Sequence, residues 1–407
     1  MWSDRTPPER LRNLVEQLKA AQLGELRHSF AVFKDATFTG PLATVSYTDG
    51  VATVSAANGT LAIEGRAFEI LEAMLEAWRD RSDAKLVGFL SYDLATELED
   101  LEPQPPADFD FPKFHFGLYD SGAAEFDAPE CAPLVTRVLS SLPDRAAFEA
   151  SVARIVKEIH AGDIFQTNLC RRIETDMGPG AAWSLFEQMR AISPSEYEAF
   201  LQIDESRSVL SISPELFLKV SSGVVESSPI KGTRPRSGDP AELLASEKDR
   251  AELAMIVDVV RNDLARVCRP GSVQVVEHAS LMTLPTVYHL FSTARGCLRK
   301  ECGAVDLLRA AFPAASISGA PKIEAMRMAA REEGQLRGPC MGAIGWISMD
   351  GDMELSVAIR TAFVTGGKVR YYAGCGITAD SDPAAEFIES EHKAAAFVRA
   401  LNPITAS

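Results

Sequence analysis

Cysteine is sparse and unpatterned in this chain. The seven residues, at 131, 170, 268, 297, 302, 340 and 375, are odd in number and nowhere form a Cys-x-x-Cys pair. A disulfide framework and a thiolate zinc site are thereby excluded as organising devices, and reduced thiols in a cytoplasmic protein are expected. Positive charge is also in deficit: 41 Lys and Arg against 57 Asp and Glu leave a net charge of −16. Such a surface repels nucleic acid and anionic membranes, so neither is expected as a partner. No apolar run approaches the ~18 residues of a membrane span, and the opening "MWSDRTPPERLRNLVEQL" has no apolar leader core. No internal repeat is visible. What remains is a soluble protein whose few cations would have to be concentrated in a pocket to hold a small anion.

The 407 residues exceed one ordinary core, so two lobes or one large elaborated domain is expected. Residues 1–125 mix short strand-like runs with one helix, "GRAFEILEAMLEAWRD", and "EPQPPADFDFP" (102–112) reads as loop. After a break near 125–145, Phe148, Val152, Ile155, Val156 and Ile159 recur at helical spacing. "SVLSISPELFLKVSSGVVESSPIKG" is two β-rich runs joined at "SSG", a hairpin signal. Folded about residue 222, it sets Glu215 opposite residue 229 and makes Glu215 and Lys231 cross-ladder neighbours. A site pairing an acid with an amine and a surface ion pair at a sheet edge fit that spacing equally.

Two helices carry further acids. In "SEKDRAELAMIVDVVRNDLARVC" the stripe is Leu253, Ile256, Val257, Val260, Leu264 and Val267, with Glu252 at its edge. In "SDPAAEFIESEHKAAAFVRAL" Pro383 marks the first turn. Glu389 shares a face with Ala385, His392 and Ala396, whereas Glu391 falls on the stripe of Phe387, Ala394 and Val398. Taken singly, each glutamate reads as a solvated or satisfied acid. "YYAGCGITADSD" runs a strand into Gly-x-Gly, and "SISGAPKIEAMRMAAREE" opens a helix with free N–H donors; either is an anion cradle or a plain turn. "GPCMG" (338–342) has the form of a cysteine-nucleophile elbow, but the nearest downstream histidine is His392, inside the final helix. Cys340 is therefore not expected to be a glutaminase nucleophile.

Eight stretches in order resemble the chorismate-utilising enzymes: "GDIFQTNLCRR", "ISPELFLKV", "SSPIKGTRPR", "KDRAELAMIVDVVRNDLARV", "LPTVYHLFSTARG", "SISGAPKIEAMR", "GAIGWISMDGDMELSVAIRTA" and "AGCGITADSDPAAEFIESEHKA". Upstream, "LVGFLSYDLATELEDL" is similar to a further family segment. The resemblance implies an N-terminal region over 1–140 and a chorismate-binding catalytic region over 144–404. It implies an α+β fold in which two large, mostly antiparallel sheets pack face to face. Helices would lie outside, with the active site in the cleft between the layers.

Chorismate is a dianion whose 4-hydroxyl must leave, which calls for an acid and a cation. By resemblance Glu215 is that acid, Glu252 and Glu389 hold Mg²⁺, and Arg360 with the backbone of Gly232, Thr233, Gly374, Cys375 and Gly376 holds carboxylates. His289, counted with the catalytic residues, and Ser318 would line the ring, and Lys393 would bind the substrate. The resemblance is greatest to the aminodeoxychorismate branch, whose motif reads PIKGT where the anthranilate branch reads PIAGT. It implies that Lys231 attacks C2 and that ammonia from a separate glutaminase subunit then enters at C4, on the route to p-aminobenzoate and folate. The lysine attacks only as the neutral amine, a form that burial beside the metal would favour. Where water-adding relatives carry a lysine, this chain has Gln166, which cannot act as their base. Arg234 and Arg236 are expected to be structural or to pair with neighbouring acids. Cys340 stands where most relatives have an aromatic, and His392 where some have an acid. An anthranilate synthase component and a catalytically idle chorismate-binding subunit are the rival readings.

Overall fold

The computed structural model describes residues 6–26, 29–101, 105–120, 126–134, 139–285 and 287–401. Among them, two large antiparallel sheets account for the strands. The nine-stranded sheet runs Gly319–Ala320, Gln166–Asp176, Lys368–Ile377, Thr361–Thr365, Ser208–Ser213, Tyr197–Gln202, Phe30–Phe33 and Ala36–Thr39, with Ser140–Leu142 also on Gln166–Asp176. The twelve-stranded sheet runs Ile230–Pro235, Val287–Cys297, Val224–Ser228, Leu216–Ser221, Met353–Val357, Ala343–Ser348, Lys85–Leu90, Phe114–Tyr119, Ala43–Thr48, Val51–Ala56 and Gly59–Glu64. Gln274–Thr283 adds to Val287–Cys297. Strands from before residue 140 are thus built into both sheets.

The main core lies between the layers. Phe33, Val209, Phe363 and Tyr372 of one sheet pack with Phe89, Phe116, Leu218 and Ile344 of the other. Burying each such ring contributes roughly 1.5–3 kcal/mol. The outer face of the nine-stranded sheet is covered by helices Arg145–Ala161, Ala181–Ile192 and Pro383–Leu401, through two further apolar clusters. This is the α+β sandwich that the resemblance implies.

Local chemistry explains most elements. Helix Arg145–Ala161 starts at Asp144, whose carboxylate accepts from the Ala147 N–H, and ends at Gly162 in the left-handed region (φ 94°). Its stripe buries Phe148, Val152 and Ile155, with Val156 and Ile159 packed alongside. The hairpin turns at Ser222 and Gly223, both with positive φ (51° and 78°), so Leu216 pairs with Ser228 and Ser221 with Val224. Beyond Pro229 the chain leaves that ladder. Lys231 pairs with Leu290 of Val287–Cys297, not with the strand that follows Glu215. The expected cross-ladder neighbourhood of Glu215 and Lys231 is therefore corrected: a strand exchange redirects the lysine.

Two other expectations change. A helix over Pro8–Lys19, with Pro8 and Glu9 in its first turn, precedes the one foreseen in this region. The N–H donors foreseen before helix Lys322–Glu333 are partly used, because Gly319 and Ala320 pair with Thr167 and Gln166 as a short strand. In helix Pro383–Leu401, Phe387, Ser390, Ala394 and Phe397 face inward, whereas Glu391 is exposed.

Candidate active site

Gln166 and Asn168 lie on the strand Gln166–Asp176, opposite Ala320 and Gly376 of the neighbouring strands. A buried ion pair fixes that strand from behind. Arg337 meets Glu333 at 2.7 Å, both side chains 2% exposed; Arg337 also donates to the Asn168 carbonyl, and Glu333 accepts the Cys170 N–H. Each buried charge is satisfied by several hydrogen bonds, the condition under which such a pair is tolerated.

In front of the strand lie three acids. Glu215, just before strand Leu216–Ser221, is 3% exposed, and burial pushes its carboxyl up to about 7. Ser316, Lys231, the Ile230 backbone and Arg360 pull the other way without prevailing. Glu215 thus still carries its proton in about half of the molecules at neutrality, the state required of an acid. Glu252 lies on helix Glu247–Ala265 with Gln166 donating to it, and Lys231 Nζ lies 3.2 Å from its Oε1. Lys231 also donates to the Ser316 carbonyl. The amine is thus paired with Glu252 across the cleft rather than with Glu215 along the ladder.

Glu389 and Lys393, one turn apart on Pro383–Leu401, form an ion pair of 2.7 Å. Their side chains keep 52% and 41% of their exposure, which marks the open side of the cleft. Loss of hydration raises the Glu389 carboxyl, but Lys393, Lys231 and Lys248 together hold it below its usual range. Lys393 also donates to the Gly374 carbonyl. Loss of hydration disfavours its charge, yet Cys375 and Glu389 raise its pKa overall.

The strand Lys368–Ile377 pairs with Thr361–Thr365 only as far as Tyr371, while its other edge stays paired to Ile377. Gly374 and Gly376 therefore lie on a strand edge that its neighbour no longer covers. Cys375 behaves otherwise: its side chain is buried among Phe148, Leu169 and Phe387, and its thiol, pushed up by burial, donates to the Glu386 carbonyl. The Cys375, Glu386 and Glu389 donor atoms lie within 4.8 Å of one another.

His289 is 4% exposed, and burial with the Arg360 charge lowers it to about 3. As a neutral ring, its Nε2 accepts from the Arg360 guanidinium at 2.9 Å, while Nδ1 donates to the Gly232 carbonyl at 3.1 Å beside the Thr233 hydroxyl. Arg360 sits between strands Met353–Val357 and Thr361–Thr365 with φ 49°, and burial lowers its pKa. Gly232 occupies a bulge at φ 63°, where a Cβ would come 2.9 Å from Leu243 and 3.0 Å from Asp249. Ser318 is buried and donates to the Ala314 carbonyl. Arg234 pairs with Asp249, and Arg236 lies over the Tyr288 ring.

The donor set at the acids suits a hard divalent ion. Glu252, Glu389 and the buried, unpartnered carbonyl oxygen of Gln166 offer oxygen alone. Gly376 supplies the room, since a Cβ there would strike the Gln166 amide and come 2.8 Å from Glu252 Oε1. Cys340, by contrast, is 1% exposed and donates to the Thr361 carbonyl, with its thiol held protonated by burial. Sequence reasoning did not single out Ser316, which touches both Lys231 and the Glu215 environment; its 101-residue separation from Glu215 leaves no local signal.

Comparison with known proteins adds to this geometry. A family model described as chorismate binding enzyme matches residues 125–399. The chain is 44% identical over 263 residues to anthranilate synthase component 1 of Streptomyces coelicolor, covering 63% of this chain and 51% of that protein, about half its length. It is 34% identical over 410 residues to aminodeoxychorismate synthase component 1 of Salmonella typhimurium, covering 91% and 90%. Among solved structures it superposes on anthranilate synthase component I from Streptococcus pneumoniae with a TM-score of 0.78, at 26% identity and 98% coverage of both chains. With the family model spanning most of the chain and the fold superposing on a solved relative over nearly its whole length, the chain belongs to the chorismate-binding enzyme family.

Proposed function

We propose that the protein aminates chorismate at C4, as the synthase component of an aminodeoxychorismate synthase supplied with ammonia by a separate glutaminase subunit. Its product would feed p-aminobenzoate and folate synthesis. The observation that carries this reading is the position of Lys231. Its Nζ enters the cleft 3.2 Å from Glu252, at the point where the anthranilate branch has only a methyl group.

In the proposed reaction Glu215 gives its proton to the 4-hydroxyl, which leaves as water while the Lys231 nitrogen bonds to C2. Ammonia then bonds to C4, the C2–N bond breaks, and the lysine leaves as the amine. Arg360, held by His289, and the open edge at Gly374 and Gly376 would orient the substrate carboxylates. Mg²⁺, held by Glu252 and Glu389, would neutralise the ring carboxylate. Gln166 already donates to Glu252 and has no basic nitrogen, which disfavours water addition.

A second reading, amination at C2 with loss of pyruvate, is favoured by the 44% identity to an anthranilate synthase component. Product analysis with chorismate, Mg²⁺ and ammonium separates the two. The proposal expects the C4 amine, an adduct on Lys231 by intact-protein mass spectrometry, and a loss on the order of a hundredfold in Lys231→Ala. Absence of the adduct with near-normal C4 amination by the variant would overturn it. Turnover with ammonium and not with glutamine is expected of the purified chain, because Cys340 is buried and its thiol donates to the Thr361 carbonyl.

A further inference from the structure

Beside Glu215 lies a small, narrow cavity. It is lined by Glu215, Ser316 and Asp263 together with Val260, Leu264 and Ala315. Its volume of about 10 Å³ is close to what the centre of a single water needs. Three polar groups meet there. Glu215 is the buried acid, and Asp263 is 8% exposed and pairs with Lys322 at 2.6 Å. The Ser316 hydroxyl is buried and close enough to Glu215 to favour its charged form as a hydrogen-bond donor, without forming a well-aligned bond to any described atom. A water of that size requires two to four polar partners, and these three groups supply them. The Asp263 and Lys322 side chains are each 12% exposed, so the far end of the row approaches solvent.

We propose that this cavity holds a water that returns a proton to Glu215 from the Asp263–Lys322 pair, by way of the Ser316 hydroxyl. The inference rests on Glu215 being the acid. Each turnover takes one proton from Glu215 into the departing water. One proton is shed when the nitrogen newly bonded at C4 becomes a neutral amine. The balance closes once that proton, or one exchanged for it in solvent, reaches Glu215. A route through the Asp263–Lys322 pair can act without product leaving. Asp263 and Ser316 act through Glu215 and are positioning and relay residues, not catalytic ones.

The test uses the full chain with ammonium and Mg²⁺. Asp263→Asn combined with Lys322→Met removes both charges and keeps the volume, and Ser316→Ala removes only the hydroxyl. Both variants are expected to lose about tenfold in kcat with KM for chorismate nearly unchanged, as expected when a proton transfer becomes slow. The solvent deuterium isotope effect on kcat should also rise above that of the parent, a change that a merely structural role does not produce. An unchanged isotope effect in Ser316→Ala, which leaves the ion pair intact, would overturn the relay even if the double variant fails to fold. Glu215→Gln separates the two layers of the argument. If it is inactive while the relay variants behave as the parent, only the relay fails; if it remains active, the acid itself is misassigned.

Discussion

At the scale of single residues, Glu215 sets the pH response. Its carboxyl is raised from 4.5 to about 7 by burial. In the proposed reaction the active form is protonated, so kcat/KM is expected to fall as pH rises through about 7. The same shift has a stability consequence of definite sign. A carboxyl with a raised folded pKa is bound without penalty below pH 4.5, and stability is lost as pH rises from there through about 7. Glu215→Gln should therefore gain melting temperature over the parent at pH 8 and little at pH 5; equal gains at both would contradict the burial argument. Gly376 gives a second residue-level outcome. A methyl group at this position presses on Gln166 and Glu252, so Gly376→Ala should lose about tenfold or more in kcat/KM with little change in melting temperature. The assignments of Glu215 and Gly376 rest on their motifs. The choice of Glu389 over Glu391 rests on resemblance alone, because periodicity reports only which side of a helix faces the core. Lys231's pairing with Glu252 was not legible at all.

At the scale of elements, the hairpin was readable because a turn is a local event: Ser222 and Gly223 take the positive φ that the strand twist demands. The strand exchange after Pro229 was not, since it depends on Val287–Cys297, some sixty residues later, offering a free edge. Helix Pro8–Lys19 was missed for a compositional reason: its charged sequence hides the three buried residues Leu14, Val15 and Leu18. The two acid-bearing helices, Glu247–Ala265 and Pro383–Leu401, approach from different layers, so neither alone would carry the proposed metal site. Either Glu252→Gln or Glu389→Gln is expected to raise the Mg²⁺ concentration for half-maximal turnover. A titration unchanged in both would remove these residues from the proposed metal site.

At the scale of the molecule, the two sheets interleave early and late segments. Ala343–Ser348 lies between Met353–Val357 and Lys85–Leu90, and Phe30–Phe33 pairs with Tyr197–Gln202. A chain beginning at residue 144 would expose the edge of Ala343–Ser348 and uncover half of the inter-sheet core. Such a fragment should fail to give a cooperative melt and should be cut rapidly by protease, whereas a compact, protease-resistant fragment would contradict this. Helix-rich surface aside, the sandwich itself was legible only by resemblance, because alternation names strands without naming their partners.

The same interleaving orders events at the ribosome. Lys85–Leu90 emerges from synthesis about 250 residues before Ala343–Ser348, its partner on one side. At ~5–20 residues per second the wait is on the order of 10–50 s. The twelve-stranded sheet cannot close around its middle until the chain is nearly complete, and the same holds for the nine-stranded one, whose central strands Thr361–Thr365 and Lys368–Ile377 come later still. Early strands must spend that interval with open edges, which makes the nascent chain a natural client for chaperones that shield unpaired β-structure.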